Sequence, residues 1–145
     1  MKYELTPIGY VDKKEDKPVQ LLIDPKFWDA TLNIEEFSHI YVIWWADGLD
    51  NPEGRSHLKG TPPVEGAETS GVFATRSPAR PNPVCLSVVK IEEVDAIEKK
   101  IIVDQISAND GTPIIDIKPY MPSSDRVDNS RVPVWFRELE ERYTK

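Results

Sequence analysis

Cysteine is nearly absent from this chain: its 145 residues include one, Cys85. A lone thiol can form neither an internal disulfide nor a cysteine zinc site. The two histidines, His39 and His57, are too few for a histidine-rich metal site, so no metal is expected. Glycine occurs only at positions 9, 48, 54, 60, 66, 71 and 111. No two of these stand one residue apart, which excludes a G-x-G-x-x-G fingerprint and a phosphate-cradling P-loop and disfavours a Rossmann domain. The six-residue spacing of Gly48, Gly54, Gly60 and Gly66 does not make a hexapeptide β-helix, because Asp47, Glu53, Lys59 and Glu65 stand where that repeat wants aliphatics. No segment approaches the roughly 18 apolar residues of a membrane span, and the N-terminus lacks the apolar run of a signal peptide. A cytoplasmic protein without a membrane partner is expected. Basic residues are also in deficit, 18 against 25 acidic, giving a net charge of −7. Such a surface repels polyanions on average.

What is present fits one globular domain spanning residues 1–145, long enough to bury a core unaided. Tyr3 to Val11, interrupted by Pro7, and Val19 to Ile23 read as strands, while residues 26–37 suit a turn or a short helix. Ile40 to Trp45 is an unbroken β-branched and aromatic run, predicting a strand buried on both faces. Asp47 to Ser70 reads as a long loop. Strands are expected again at Gly71 to Thr75, at Val84 to Glu93 paired with Lys100 to Ile106, and after the Asp110-Gly111 turn. Val134 to Tyr143 has helical spacing, with Trp135, Leu139 and Arg142 on one side and Glu138 and Glu141 elsewhere. Six to eight short strands and one terminal helix predict an all-β fold, a mainly antiparallel barrel or a sandwich.

Two segments carry chemistry. In Gly71-Val-Phe-Ala-Thr-Arg-Ser-Pro-Ala-Arg-Pro-Asn-Pro83, three prolines fix φ and push Ser77, Arg80 and Asn82 toward extended conformations. A stiff loop presenting Arg76 and Arg80 loses little entropy on binding. Three basic residues and no acid between Thr69 and Ile91 make a local positive island. The arginines either recognise carboxylate or phosphate or pair with acids on neighbouring strands. In the second segment, simple alternation puts Thr112, Ile114, Asp116, Lys118 and Tyr120 on one face and Pro113, Ile115, Ile117 and Pro119 on the other. That polar face is either solvated or lines a pocket. Cys85 reads as a small buried thiol, and Trp44-Trp45 as core on one side and interface on the other.

These two segments, with Phe37-Ser-His-Ile-x-Val42 and Pro7-Ile-Gly-Tyr-Val11, resemble the TrmO/TsaA-like family over most of residues 5–122. The resemblance implies a non-Rossmann β-barrel working as a homodimer in its short form, without the further C-terminal domain of many members. It implies an S-adenosylmethionine-dependent methyltransferase acting on N6 of threonylcarbamoyladenosine beside the anticodon of tRNA. By position, Asp47, Gly48, Arg76, Leu86 and the stretch Asp110, Gly111, Thr112, Pro113 and Ile114 match the family's cofactor-binding segments. Arg76 is then expected to hold the cofactor's carboxylate and the Asp110 to Ile114 backbone its adenosine. Asp116, Lys118 and Tyr120 are the catalytic candidates, with Asp116 or Lys118 as the base that removes the N6 proton. Arg80 and Asn82 are assigned to the substrate, and Arg80, Lys90, Arg55 and Lys59 are expected to form a basic track for tRNA. The chain departs from the family pattern at Cys85, Ser107 and Asp47, and has Pro18-Val-Gln20 where the family has Pro-Arg-Gln. A small-molecule methyltransferase and a non-catalytic cofactor-binding module are the alternatives.

Overall fold

The computed structural model describes residues 1–137, 139, 144 and 145. Eight strands occur in it: β1 (Gly9–Asp12), β2 (Val19–Ile23), β3 (His39–Trp45), β4 (Lys59–Gly60), β5 (Ser70–Gly71), β6 (Val84–Asp95), β7 (Lys100–Val103) and β8 (Pro113–Pro119). Three one-turn helices are α1 (Pro52–Arg55), α2 (Pro122–Asp125) and α3 (Val134–Arg137). Of the expected terminal helix, Trp135 lies in α3, while Glu138, Glu141 and Arg142 fall outside the described residues.

The chain forms two compact units. The first comprises Met1–Asp47, Val84–Tyr120 and Thr144–Lys145, and the second Gly48–Pro83 with the described residues of 121–143.

In the first unit six strands close an antiparallel barrel in the order β1-β2-β7-β6-β3-β8. Val11, Leu21, Ile40, Val42, Val89, Ile101 and Ile114 fill it, each no more than 1% exposed. β3 shows the alternation that drives this: Ile40 and Val42 point inward, while Tyr41 and Ile43 lie half-buried outside. The expectation of two buried faces is therefore corrected. A closed antiparallel sheet needs one buried face only. β1 starts at Gly9 rather than Tyr3, since Pro7 cannot donate to a ladder. Residues 25–36 take the helical alternative as two 3-10 helices, Pro25–Thr31 and Ile34–Glu36, the first capped by the Asp24 carboxylate accepting from Lys26 N–H at 3.0 Å. Phe27, Trp28 and Ile34 from these turns pack on the core.

β8 contains the main surprise. Its register against β3 runs Ile40↔Pro119, Val42↔Ile117 and Ile43↔Asp116, then jumps to Trp44↔Ile114, leaving Ile115 as a bulge. An extra residue reverses the alternation. Thr112 and Ile114 face the core, but beyond the bulge Ile117 and Pro119 take the inward places opposite Val42 and Ile40. Asp116 and Lys118 consequently face outward beside Ile43 and Tyr41. The single polar face expected from strict alternation is thus split in two.

In the second unit β4 and β5 form a two-residue ladder. The strand expected at Gly71 to Thr75 is replaced by a 3-10 turn at Val72–Ala74, in which Thr75 N–H donates to Val72 O at 3.0 Å. Side chains decide this: Thr75 Oγ1 donates to Val72 O at 2.8 Å, and the Arg80 guanidinium donates to the same carbonyl at 2.7 Å. Those bonds take up the acceptor that a ladder would need. Among the described residues no helix is long and apolar enough to cross a membrane.

Candidate functional site

Antiparallel pairing collects the C-terminal ends of β1, β3 and β7 and the N-terminal ends of β2, β6 and β8 at one end of the barrel. Asp47, Leu86 and the Asp110 to Ile114 stretch all belong to this end. The Asp110-Gly111 turn is strongly held. Lys13 N–H donates to Asp110 Oδ1 at 2.8 Å, and Lys14 Nζ bonds Asp110 Oδ2 while also pairing with Asp12 at 3.3 Å. The Lys13 amide, followed by the Lys14 ammonium, holds the Asp110 carboxyl below its ordinary range. The bond to Asp110 likewise raises the Lys14 ammonium above its ordinary value. Gly111 sits at φ +80°, a left-handed conformation that favours glycine, and its N–H donates to Val11 O at 2.7 Å. Thr112 is buried, and its carbonyl accepts from Val11 N–H at 2.9 Å.

Beneath this end runs a polar chain inside the barrel. Trp44 Nε1 donates to Ser87 Oγ at 3.0 Å, and Ser87 Oγ lies 3.1 Å from Ser107 Oγ. It fixes the connector before Asp110 to β3 and β6. Sequence reading noticed Ser107 only as a departure from a pattern and gave Ser87 no role.

Leu86 has a different setting. It pairs with Ile43 on the outer face, where Val84 and Leu86 are 39% and 43% exposed beside half-buried Ile43 and Trp45. Trp44 packs on the core, as expected of one of the paired tryptophans, and Trp45 belongs to this outer face. Cys85 is half-buried.

The catalytic candidates lie farther along β8. Asp116 and Lys118 form an ion pair at 3.0 Å, with side chains 46% and 64% exposed. Tyr120 stacks at a tilt against Tyr41, ring centroids 5.9 Å apart, and its N–H donates to His39 O at 3.0 Å. These positions approach the barrel end opposite the Asp110 turn. At that end a cavity of about 300 Å³ is lined by Ile8, Ile23, Phe27, Leu32 and Phe37, with Asp116 the one charged lining residue.

In the second unit, a cavity of about 490 Å³ is lined by the proline-rich loop (Thr75 to Ala79), by Pro62, Pro63, Val64 and Phe136, and by His57, Lys59 and Arg76. Among the described residues, three basic side chains and no acid border it. Arg76 is exposed and makes no hydrogen bond or ion pair with the described residues. Arg80 contrasts with it: its guanidinium donates to Val72 O at 2.7 Å and to Thr75 O at 3.4 Å, stiffening the loop from within. Arg55 braces the same loop from α1, pairing with Asp50 at 2.6 Å and donating to Pro81 O at 2.9 Å and to Asn82 Oδ1 at 3.2 Å. Arg55, Arg80 and Asn82 are thus committed to loop architecture, while Arg76 and Lys59 border the cavity. Gly48 opens this unit, and its carbonyl accepts from Asn51 Nδ2 at 3.4 Å.

The pattern of the tRNA-methyltransferase O N-terminal domain matches residues 7–126. The chain belongs to this family. An S-adenosyl-L-methionine-binding protein of Archaeoglobus fulgidus is 41% identical over 137 residues, covering 86% of this chain and 94% of its own length. Another protein of that organism, named "Probable S-adenosyl-L-methionine-binding protein", is 41% identical over 120 residues, and the chain spans 31% of its length. Among solved structures, TrmO from Pseudomonas aeruginosa is 29% identical and superposes with a TM-score of 0.70, over 92% of this chain and 62% of that one. The family fold is the closed antiparallel barrel described above.

Proposed function

We propose that this member of the TrmO N-terminal domain family is an S-adenosylmethionine-dependent methyltransferase whose acceptor is N6 of threonylcarbamoyladenosine in tRNA. The observation that carries the reading is the cavity bordered by Arg76. It offers a cation that has no partner among the described residues, at the border of a largely apolar volume of about 490 Å³, within the range usual for small-molecule sites. A ligand with a carboxylate and a planar body suits that donor set, because a guanidinium grips a carboxylate with two parallel bonds. The cofactor supplies a methyl group on a sulfonium centre.

The residues provide position above all, since holding two reactants in line removes most of the entropic cost of displacement. Within the second unit Arg76 is assigned the cofactor's carboxylate; that the Asp110 to Ile114 backbone takes its adenosine, and that Asp47, Gly48 and Leu86 contribute, rests on the family pattern alone. Arg80 and Asn82 serve the acceptor through the loop they hold rigid. An N6 that bears a carbamoyl group is a poor nucleophile until its proton leaves. Asp116, ion-paired with Lys118 and followed by Tyr120, is the family pattern's candidate for the base; it stands toward the barrel end away from the Asp110 turn, so its variant is part of the test below. A homodimer built on the outer face of Ile43, Trp45, Val84 and Leu86 would cover apolar surface that water now reaches.

One observation favours a second reading. A net charge of −7 suits a small-molecule acceptor better than a polyanion. The experiment is transfer of labelled methyl from S-adenosylmethionine to tRNA carrying threonylcarbamoyladenosine, with unmodified tRNA as control and Asp116→Asn alongside. Label on the modified tRNA alone, reduced about a hundredfold in the variant, is expected. No label on either tRNA from protein that binds the cofactor refutes the tRNA reading and leaves the small-molecule one. Full activity in Asp116→Asn removes the base assignment.

A further inference from the structure

The run Asp12 to Lys17 resembles an ordinary solvated turn, yet two of its lysines reach across the chain. Lys13 Nζ donates to the carbonyls of Ile106 at 2.7 Å and Ala108 at 3.3 Å. Its own N–H donates to Asp110 Oδ1 at 2.8 Å, and Lys14 Nζ bonds the other oxygen of the same carboxylate. One dipeptide therefore grips the 104–112 connector at three points. The connector has no ladder of its own between β7 and β8. Its two ends are tied to Lys90 and to Val11 by backbone bonds, and between them it is also held by the Ile106 and Ala108 side chains, 3% and 0% exposed, and by the Ser107 hydroxyl on Ser87.

A cation is well suited to this place. Ile106 and Ala108 bury their side chains in the barrel, which fixes their carbonyls, and an ammonium can bond both at once. A shorter or neutral side chain at position 13 leaves both acceptors without that donor. The engagement of Asp110 has a corollary: its two carboxylate oxygens are already bonded within the protein, so it shapes the turn, and contacts to a bound molecule fall to the backbone that follows.

We infer that Lys13, with Lys14, is a positioning residue that sets the conformation of residues 106–112 and through it the affinity for the adenosine part of the cofactor. The cofactor half of this inference rests on the function proposed above. The loop half stands on the geometry alone, and the test separates them.

Full-length wild-type, Lys13→Met and Lys13→Arg proteins are compared by amide hydrogen exchange without cofactor and by calorimetric titration with S-adenosylmethionine. Exchange at 106–112 is expected to accelerate about tenfold in Lys13→Met, with β2, β3 and β6 amides unchanged. Cofactor affinity should fall about tenfold at unchanged turnover under saturation, with Lys13→Arg recovering most of both effects. Unaltered exchange at 106–112 in Lys13→Met overturns the inference whether or not the cofactor binds. Accelerated exchange with unaltered affinity overturns its cofactor half. Failure of wild-type protein to bind the cofactor refutes the proposed function and with it that half, while exchange still decides the loop half. Lys14→Met provides the second variant, expected to loosen residues 110–112 alone.

Discussion

Asp110 and Arg76 belong to different units, and their electrostatic states are opposite. In the barrel unit, the Asp110 carboxylate accepts from a backbone amide and an ammonium, and the turn it anchors is closed by Val11 on both sides. In the second unit, the Arg76 guanidinium finds no partner among the described residues and borders a cavity. The lesson concerns how side chains divide their work. The carboxylate that holds backbone in place is saturated within the fold, and the guanidinium at the cavity keeps its hydrogen-bonding capacity open toward the described residues. Within the second unit the same division repeats: Arg55 and Arg80 bond carbonyls, and Arg76, between them in sequence, bonds none among the described residues.

The stability of the two units can be probed separately. Leu21 is fully buried in the barrel, so Leu21→Ala should cost about 2–5 kcal/mol in chemical denaturation. The control is Leu32→Ala, at a site 82% exposed, and equal losses in the two variants would contradict the core assignment. In the second unit, a Cβ on Gly54 would stand 2.1 Å from Leu49 O. Gly54→Ala should therefore cost about 1–3 kcal/mol, read as loss of protease resistance in residues 48–83. Ser87→Ala removes the link between Trp44 and Ser107 and should cost about 1 kcal/mol, because the indole N–H loses its acceptor. An unchanged midpoint in that variant would mean the polar chain does not brace the connector.

The smallest effect is that of pH. The folded-state value of Asp110 is lowered, so its contribution is complete above the ordinary carboxylate range and fades as pH falls through the folded value. That of Lys14 is raised, so its contribution is complete below the ordinary lysine range and fades as pH rises through the folded value. Both groups are exposed, and water screens the pair. Exchange protection at 110–112 should thus stay level from about pH 5 to 10 and fall outside it, with the acid limb absent in Asp110→Asn. A midpoint near neutrality would contradict this.

Much of the barrel can be read from the residues. β2, β3, β6 and β7 follow β-branched runs, and the Asp110-Gly111 pair marks the turn that Gly111 makes at positive φ. The bulge at Ile115 was hidden, because register is a property of two strands and nothing in Ile-Ile-Asp-Ile-Lys shows which residue β3 will skip. The Val72–Ala74 turn was hidden for a related reason: Val72, Phe73 and Thr75 favour a strand, and the Thr75 hydroxyl with the guanidinium of Arg80, eight residues beyond Val72, draws the Val72 carbonyl out of one. The role of Lys13 rests on acceptors more than ninety residues away, beyond any local pattern. Motif matching singled out Arg76 and Arg80 together, and their separation into a cavity-lining and a loop-bracing arginine is geometric information alone.

The central claim is that Arg76 is the cofactor's carboxylate anchor. Its direct test is the dissociation constant of S-adenosylmethionine measured by calorimetry for wild-type protein and Arg76→Ala, with Arg80→Lys as a loop control. The account predicts about a ten- to hundredfold loss on removing Arg76, the effect of losing a charge-assisted contact. Equal affinities for wild type and Arg76→Ala would contradict it.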